Sequence, residues 1–205
     1  MNTGIVILAA GESSRMGAPK QLLTYHGTTL LQHAIDTARE LDDAAVVAVL
    51  GAHAEQILPQ LDAHDILVVE NPDWPAGMGG SLRTGLRALL DEHPDISAVI
   101  FLLCDQPLLS ATTLENLVAA HESTGSAIVA SEYDGILGVP ALFTRTFFPD
   151  LLALEGAAGA RQIIWTHRAH AIGVPFSEGA VDIDTPADYA RLQSSPSKPS
   201  TLIAA

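Results

Sequence analysis

Ile5-Val6-Ile7-Leu8-Ala9-Ala10-Gly11-Glu12-Ser13-Ser14-Arg15-Met16-Gly17-Ala18-Pro19-Lys20 is the stretch on which the architecture turns. It opens with a short β-branched apolar run, Ile5–Ala9, which reads as a strand buried on both faces. The run then breaks into a glycine-containing loop. Four further runs of the same kind follow: Ala45–Leu50, Ile66–Val69, Ala98–Leu103 and Ser126–Ala130. Between them lie stripes at helical spacing. Leu30, Leu31, Ala34, Ile35 and Ala38 form one, Leu82, Leu86, Leu89 and Leu90 a second, and Leu114, Leu117 and Val118 a third. Strands alternating with helices predict right-handed βαβ units and a mainly parallel sheet covered on both faces. After Ser131 the rhythm breaks at Gly135, Gly138 and Pro140, and again at Gly156 and Gly159. That half is expected to add mixed or antiparallel strands at the sheet edge.

The loop after the first run has the composition of an anion site. Gly11 and Gly17 let backbone amides approach a ligand, and Ala9 and Ala10 leave room beside it. Ser13 and Ser14 add hydroxyls, and Arg15 and Lys20 add positive charge. It is not a Walker loop, since no Gly-Lys-Ser/Thr occurs, nor a dinucleotide fingerprint, since Gly11 and Gly17 are six apart with no glycine at 13. A bare glycine turn here would be an ordinary strand-to-helix connection. Two cations at set positions, in a chain with only 10 basic residues against 24 acidic ones, point instead to a triphosphate.

A second glycine cluster, Gly77-Met78-Gly79-Gly80-Ser81-Leu82-Arg83, opens the second helix. Amides near Gly79, Gly80 and Ser81 would then face an anion or a polar ligand edge, although Gly80 or Ser81 could simply cap the helix. Arg83 and Arg87 lie four apart and off the leucine stripe, so one can face the pocket or both can be solvated. Asp105 ends the run Val99–Cys104, at the carboxyl end of a buried strand, where open α/β sheets bind ligands. A carboxylate there suits Mg²⁺, which takes one or two carboxylates plus phosphate oxygens. Cys104 reads as a small core residue. In Val181–Asp188, Thr185, Pro186 and Asp188 fit the cap and first turn of the last helix. Asp182 and Asp184 precede it on one side of an extended segment, and either could be a second metal ligand.

Other chemistries find no support. The eight histidines make no HExxH or Cys/His zinc pattern, and no GxSxG elbow is present. A formal charge of −14 argues against nucleic acid and anionic membranes. The lone Cys104 rules out an internal disulfide and fits a reducing compartment. The first ten residues lack a basic n-region, and no apolar run approaches a membrane span, so the protein is expected to be soluble and cytoplasmic. A single domain over 1–193 is expected, with a disordered Ser/Pro/Lys tail over 194–205.

Leu8–Gly11 through Lys20, Gly77–Arg83, Leu103-Cys104-Asp105-Gln106-Pro107 and Asp182-Ile183-Asp184-Thr185-Pro186 occur in that order. Together they resemble the molybdenum cofactor cytidylyltransferase branch of the MobA-like nucleotidyltransferases, over about residues 4 to 192. The resemblance implies a three-layer α/β/α sandwich with a Rossmann-like, mostly parallel sheet. It implies transfer of CMP from CTP to the phosphate of molybdopterin, with release of pyrophosphate. On this pattern Arg15 and Lys20 hold the triphosphate, Ala10, Gly11 and the Gly79–Ser81 region contact base and ribose, Asp105 holds Mg²⁺, and Asp184 is the candidate second ligand. Guanylyltransferase relatives usually read Leu-Ala-Gly-Gly, whereas Ala9-Ala10-Gly11 and Pro19-Lys20 look like the cytidine type. Relatives commonly carry Gly-Asp-x-Gly-Ala-Arg, and here Ala157 replaces the acid. Two alternatives stay open: another small phosphorylated acceptor at the same nucleotide site, or a non-catalytic molybdenum cofactor carrier or maturation factor. Besides the nucleotide and the phosphorylated pterin, the resemblance allows a molybdoenzyme maturation protein as a partner.

Overall fold

The computed structural model describes residues 1–194. In chain order the elements are β1 (Thr3–Leu8), a short hairpin of β2 (Thr24–Tyr25) and β3 (Thr28–Thr29), α1 (Leu30–Arg39), β4 (Ala45–Leu50), α2 (Ala54–Ile57), β5 (Leu67–Glu70), α3 (Met78–Glu92), β6 (Ala98–Leu103), α4 (Ala111–Thr124), β7 (Ile128–Tyr133), β8 (Ile136–Thr144), α5 (Phe148–Leu152), α6 (Ala160–Thr166), β9 (Ala171–Pro175) and α7 (Pro186–Ser194). Ser194 closes the last helix, and the rest of the expected tail, 195–205, lies outside the described residues.

Seven strands form one sheet in the order β5-β4-β1-β6-β8-β7-β9. All neighbours are parallel except the two pairs that involve β8. The expected mixed half is therefore present, but its antiparallel strand sits inside it, between β6 and β7, with parallel β9 at the rim. Phe101 of β6 and Phe143 of β8 meet at a ring centroid distance of 6.1 Å and 66°, an edge-to-face contact that ties β8 to the parallel half.

The alternation along each strand explains why the runs are apolar throughout. Val6 and Leu8 of β1, Val47 and Val49 of β4, and Val99 and Phe101 of β6 face a core shared with α3, α5 and α6. Ile5 and Ile7, Val46 and Ala48, and Ile100 and Leu102 face the opposite core, shared with α1, α2 and α4. Both faces are covered, so neither can be polar, and each large side chain buried this way contributes roughly 1.5–3 kcal/mol. The helix stripes dock as the spacing requires: Leu31 and Ile35 on one side, Leu82, Leu86 and Leu89 on the other. Gly85 lets α3 lie flat on the sheet. A Cβ there would run into Val6 and come within 2.7 Å of Val49 Cγ2. Among the described residues no helix is long and apolar enough to cross a membrane.

Candidate active site

The parallel strands β1, β4, β5 and β6 end at one edge of the sheet, and the segments that follow β1, β5 and β6 build a cavity of about 290 Å³. Ala9, Ala10 and Gly11 line one wall, Trp74, Gly77, Met78 and Ser81 another, and Leu103–Asp105 the floor, with Lys20 at the mouth.

The first loop is held by a residue the sequence reading passed over. Gln21 is fully buried, and its Nε2 donates to the carbonyls of Ala9 at 2.8 Å and Gly11 at 2.9 Å. Its Oε1 accepts from Ser13 Oγ at 3.3 Å, and that hydroxyl in turn accepts the Lys20 N–H at 3.2 Å. Ser13 adopts a positive φ of 59° to make this turn. Ser13 thus shapes the loop from within and does not line the cavity. The only advance signal was that a polar residue sits between Lys20 and the apolar pair Leu22-Leu23.

A second tie brings the acidic segments together. Ile183 is fully buried against Met16 and Leu30, and its N–H donates to the Asp105 carbonyl at 3.0 Å. With Ile183 turned into this small core, Asp184 faces Lys20. The Lys20 ammonium bonds to Asp105 Oδ2 and lies 3.2 Å from Asp184 Oδ1. Arg15, largely exposed, reaches Asp184 Oδ2 at 2.9 Å. Burial works against charge on Lys20, but Asp105 beside it, reinforced by Asp184, holds the ammonium above its ordinary range. Burial, then the charges of Asp105 and Asp184, push the Asp182 carboxyl up to about 6 against the opposing pull of the Lys20 charge and a hydrogen bond from Gln106. Burial also pushes the Cys104 thiol up to about 12, in line with a core role.

The second glycine cluster differs from its sequence reading. Helix α3 starts at Met78 with Gly77, at a φ of 119°, as its cap, so neither Gly80 nor Ser81 caps it. The Gly79 N–H already donates to the Gly156 carbonyl at 3.0 Å, so it is not open to an anion. Gly77 itself must be glycine, since a Cβ would collide with that same carbonyl. Gly79 and Gly80 pack against Glu155, Ala158 and Asn71, and of the expected trio only Ser81 lines the cavity. The Ser81 hydroxyl accepts from Asn71 Nδ2 at 2.9 Å. Arg83 turns away: its guanidinium donates to the Leu154 carbonyl and clips α3 to the turn before α6. The last cap forms as read, with Asp188 Oδ2 accepting from the Thr185 N–H at 2.8 Å. Gln106, also missed, is buried and donates to the carbonyls of Val139 at 3.2 Å and Gly179 at 3.1 Å, fixing the loop behind Asp105.

Asp105 Oδ1 is buried and has no hydrogen-bond partner among the described residues. A carboxylate oxygen left this way beside a second carboxylate fits a divalent cation that completes its shell with ligand oxygens. Among the described residues no group of three or more possible ligands gathers around one point, so the chain offers a carboxylate pair rather than a full cage.

Residues 5–171 match the MobA-like NTP transferase domain. The chain is 38% identical over 163 residues to nicotine blue oxidoreductase of Paenarthrobacter nicotinovorans, covering 76% of this chain and 78% of that one. It is 35% identical over 130 residues to the bifunctional protein GlmU of Thermobifida fusca, covering 60% of this chain but only 26% of that longer protein. Among solved structures, Rv0371c of Mycobacterium tuberculosis superposes with a TM-score of 0.81 at 31% identity, covering 95% of this chain and 98% of that one. Its complex with manganese gives a TM-score of 0.78 at 29% identity, covering 95% and 100%.

Proposed function

Since the chain belongs to the MobA-like NTP transferase family, we propose that it transfers CMP from CTP to the phosphate of molybdopterin and releases pyrophosphate. The observation that carries the reading is the Lys20 ammonium held between Asp105 and Asp184 at the mouth of a loop-walled cavity. A triphosphate needs a cation at that point, and a phosphate-bound divalent ion needs the carboxylates.

The reaction asks little covalent work of the protein. An oxygen of the acceptor phosphate forms a bond to the α-phosphorus in line with the bond that breaks, and the electron pair of that bond leaves on pyrophosphate. The acceptor oxygen is already anionic, so no proton has to be taken from it. The chain supplies position and charge. Ala9, Ala10 and Gly11, fixed by Gln21, hold the backbone wall against which base and ribose lie. Lys20 and Arg15 neutralise the phosphates as charge moves to the leaving group. Asp105 and Asp184 would hold Mg²⁺, which supplies charge neutralisation across the phosphate oxygens. The manganese complex of Rv0371c supports a divalent ion in this fold. The choice of cytosine rests on the resemblance of Ala9-Ala10-Gly11 to the cytidine type, with Ala10 where guanylyltransferase relatives carry glycine.

The test combines purified protein, Mg²⁺ and reduced molybdopterin with each of CTP, GTP, ATP and UTP, and follows pyrophosphate and the dinucleotide product. CTP is expected to be used at least tenfold faster than the others, a threshold well below what a site built to hydrogen-bond its substrate can reach. Ala157, at the acid position of the usual Gly-Asp-x-Gly-Ala-Arg run, favours a second reading in which the acceptor is a different phosphorylated small molecule. Turnover of CTP with a sugar phosphate but not with molybdopterin would establish that reading. Nucleotide or pterin binding without any turnover would mark a carrier.

A further inference from the structure

A second cavity, of about 220 Å³, opens where the β7–β8 hairpin tip meets α6. Along β7, Ile128 and Ala130 face the core beneath α6, and Glu132 continues the same face where the core gives out. The Glu132 carboxylate lies over the β9 residue paired with Ala130, Gly173. A Cβ there would lie 2.5 Å from Glu132 Oε2, so the carboxylate occupies space that only glycine leaves. From the opposite wall come Arg161 and Trp165, four apart on α6, and Arg168 just beyond it. Arg168 is anchored by donation from Nη1 to the Ala171 carbonyl at 3.0 Å.

Packing does not explain this grouping. Trp165 is 80% exposed, more than any other large hydrophobic side chain among the described residues. Two of the chain's ten basic residues stand beside it, in a protein with a formal charge of −14. An open indole flanked by guanidinium and carboxylate groups has the make-up of a ligand site.

We propose that this cavity binds a flat heterocycle that carries an anionic group and an amidine-like N–H edge. Trp165 stacks on the ring, Glu132 accepts the paired N–H donors of the edge, and the Arg161 fork takes the anion. The inference deepens the reading above and rests on it for its biological sense: a phosphorylated pterin has this ring, this edge and this charge. The cavity belongs to the same end of the molecule as Asp105. In the loop leading into α6 the Gly156 carbonyl accepts from the Gly79 N–H beside the nucleotide cavity, and Tyr133, at the end of β7, feels the charges of both Asp182 and Arg161.

The chain has two tryptophans, and each marks one cavity: Trp74 the nucleotide site and Trp165 this one. Protein labelled with 5-fluorotryptophan therefore gives one ¹⁹F resonance per site, assigned through Trp74→Phe and Trp165→Phe. Titration with 6-carboxypterin is expected to shift the Trp165 resonance saturably and leave Trp74 in place, while Mg²⁺-CTP shifts Trp74. Arg161→Gln and Glu132→Gln should each weaken 6-carboxypterin about tenfold, the loss typical of one charge-assisted contact in an open pocket. The analogue 6-carboxylumazine, with oxygen in place of the 2-amino group, should also bind about tenfold more weakly, and that preference should vanish in Glu132→Gln.

A shift of Trp74 alone, or of neither resonance, overturns the site. Binding at Trp165 without CMP transfer to any pterin upholds the site and sinks the transfer reading. Transfer to molybdopterin with an unchanged KM for it in both Arg161→Gln and Glu132→Gln does the reverse.

Discussion

Ile183 donates its backbone N–H to the carbonyl oxygen of Asp105 at 3.0 Å, across 78 residues of sequence. That bond, with the Ile183 side chain sealed against Met16 and Leu30, sets Asp184 opposite Asp105 with Lys20 between them. The site is a set of charges whose spacing is fixed by a backbone bond to Asp105 and by a small apolar cluster of Ile183, Met16 and Leu30 that does not line the cavity.

The role given to Asp105 makes a two-part prediction. Asp105→Asn keeps the shape but removes the charge, and it is expected to lower kcat by about a hundredfold or more, the scale seen when one preorganised electrostatic contact is lost. Binding of Mn²⁺, read by electron paramagnetic resonance, should weaken in parallel. Full activity with unchanged Mn²⁺ binding would remove Asp105 from the site.

Gln21 gives a prediction about stability and binding together. Gln21→Ala leaves the Ala9 and Gly11 carbonyls without their shared donor and opens a small void, which should cost about 2–3 kcal/mol in urea denaturation. CTP affinity should fall with it, because the loop wall is no longer fixed. A variant that loses stability but binds CTP as tightly as the parent would show that the loop shape does not depend on this side chain.

Asp182 predicts a pH dependence of definite sign. Its carboxyl is raised to about 6, by burial and then by Asp105 and Asp184. Between that value and the ordinary 3.8, the folded protein holds a proton that the unfolded chain has released. The group therefore weakens the fold at neutral pH, and the penalty fades as pH falls through 6 towards 4. In metal-free buffer, Asp182→Asn should raise Tm near pH 7.5 by only ~1–2 °C, since the side chain reaches solvent, and should give no gain near pH 4. A gain that grows on acidification would contradict the assignment.

Cys104 predicts an absence of reactivity. Its thiol is buried and raised to about 12, so almost no thiolate forms at neutral pH. Intact-mass measurement after iodoacetamide treatment of the folded protein near pH 8 should show no adduct, and the unfolded protein should show one. Rapid labelling of the folded form would mean that the cavity floor opens readily.

By itself the sequence determined the parts whose cause is local. The apolar runs at Ile5–Ala9, Ala45–Leu50 and Ala98–Leu103 could only be strands covered on both faces, and the leucine stripes could only dock as helices upon them. The loop cations follow β1 and Asp105 follows β6, at the sheet edge where α/β folds take their ligands, and the Thr185/Asp188 cap lay within one turn of chain. Tertiary structure alone decided which polar group meets which. Gln21 turns inward to bond two loop carbonyls, Gly79 gives its N–H to a carbonyl 77 residues away, Arg83 clips a distant turn, and Asp184 rather than Asp182 faces Lys20. The placement of β8 between β6 and β7 was decided in the same way. Periodicity encodes an element and its buried face, because burial recurs with the geometry of that element. A hydrogen bond or ion pair depends on where a remote segment comes to lie, and nothing in the residues beside Gln21 or Arg83 carries that information.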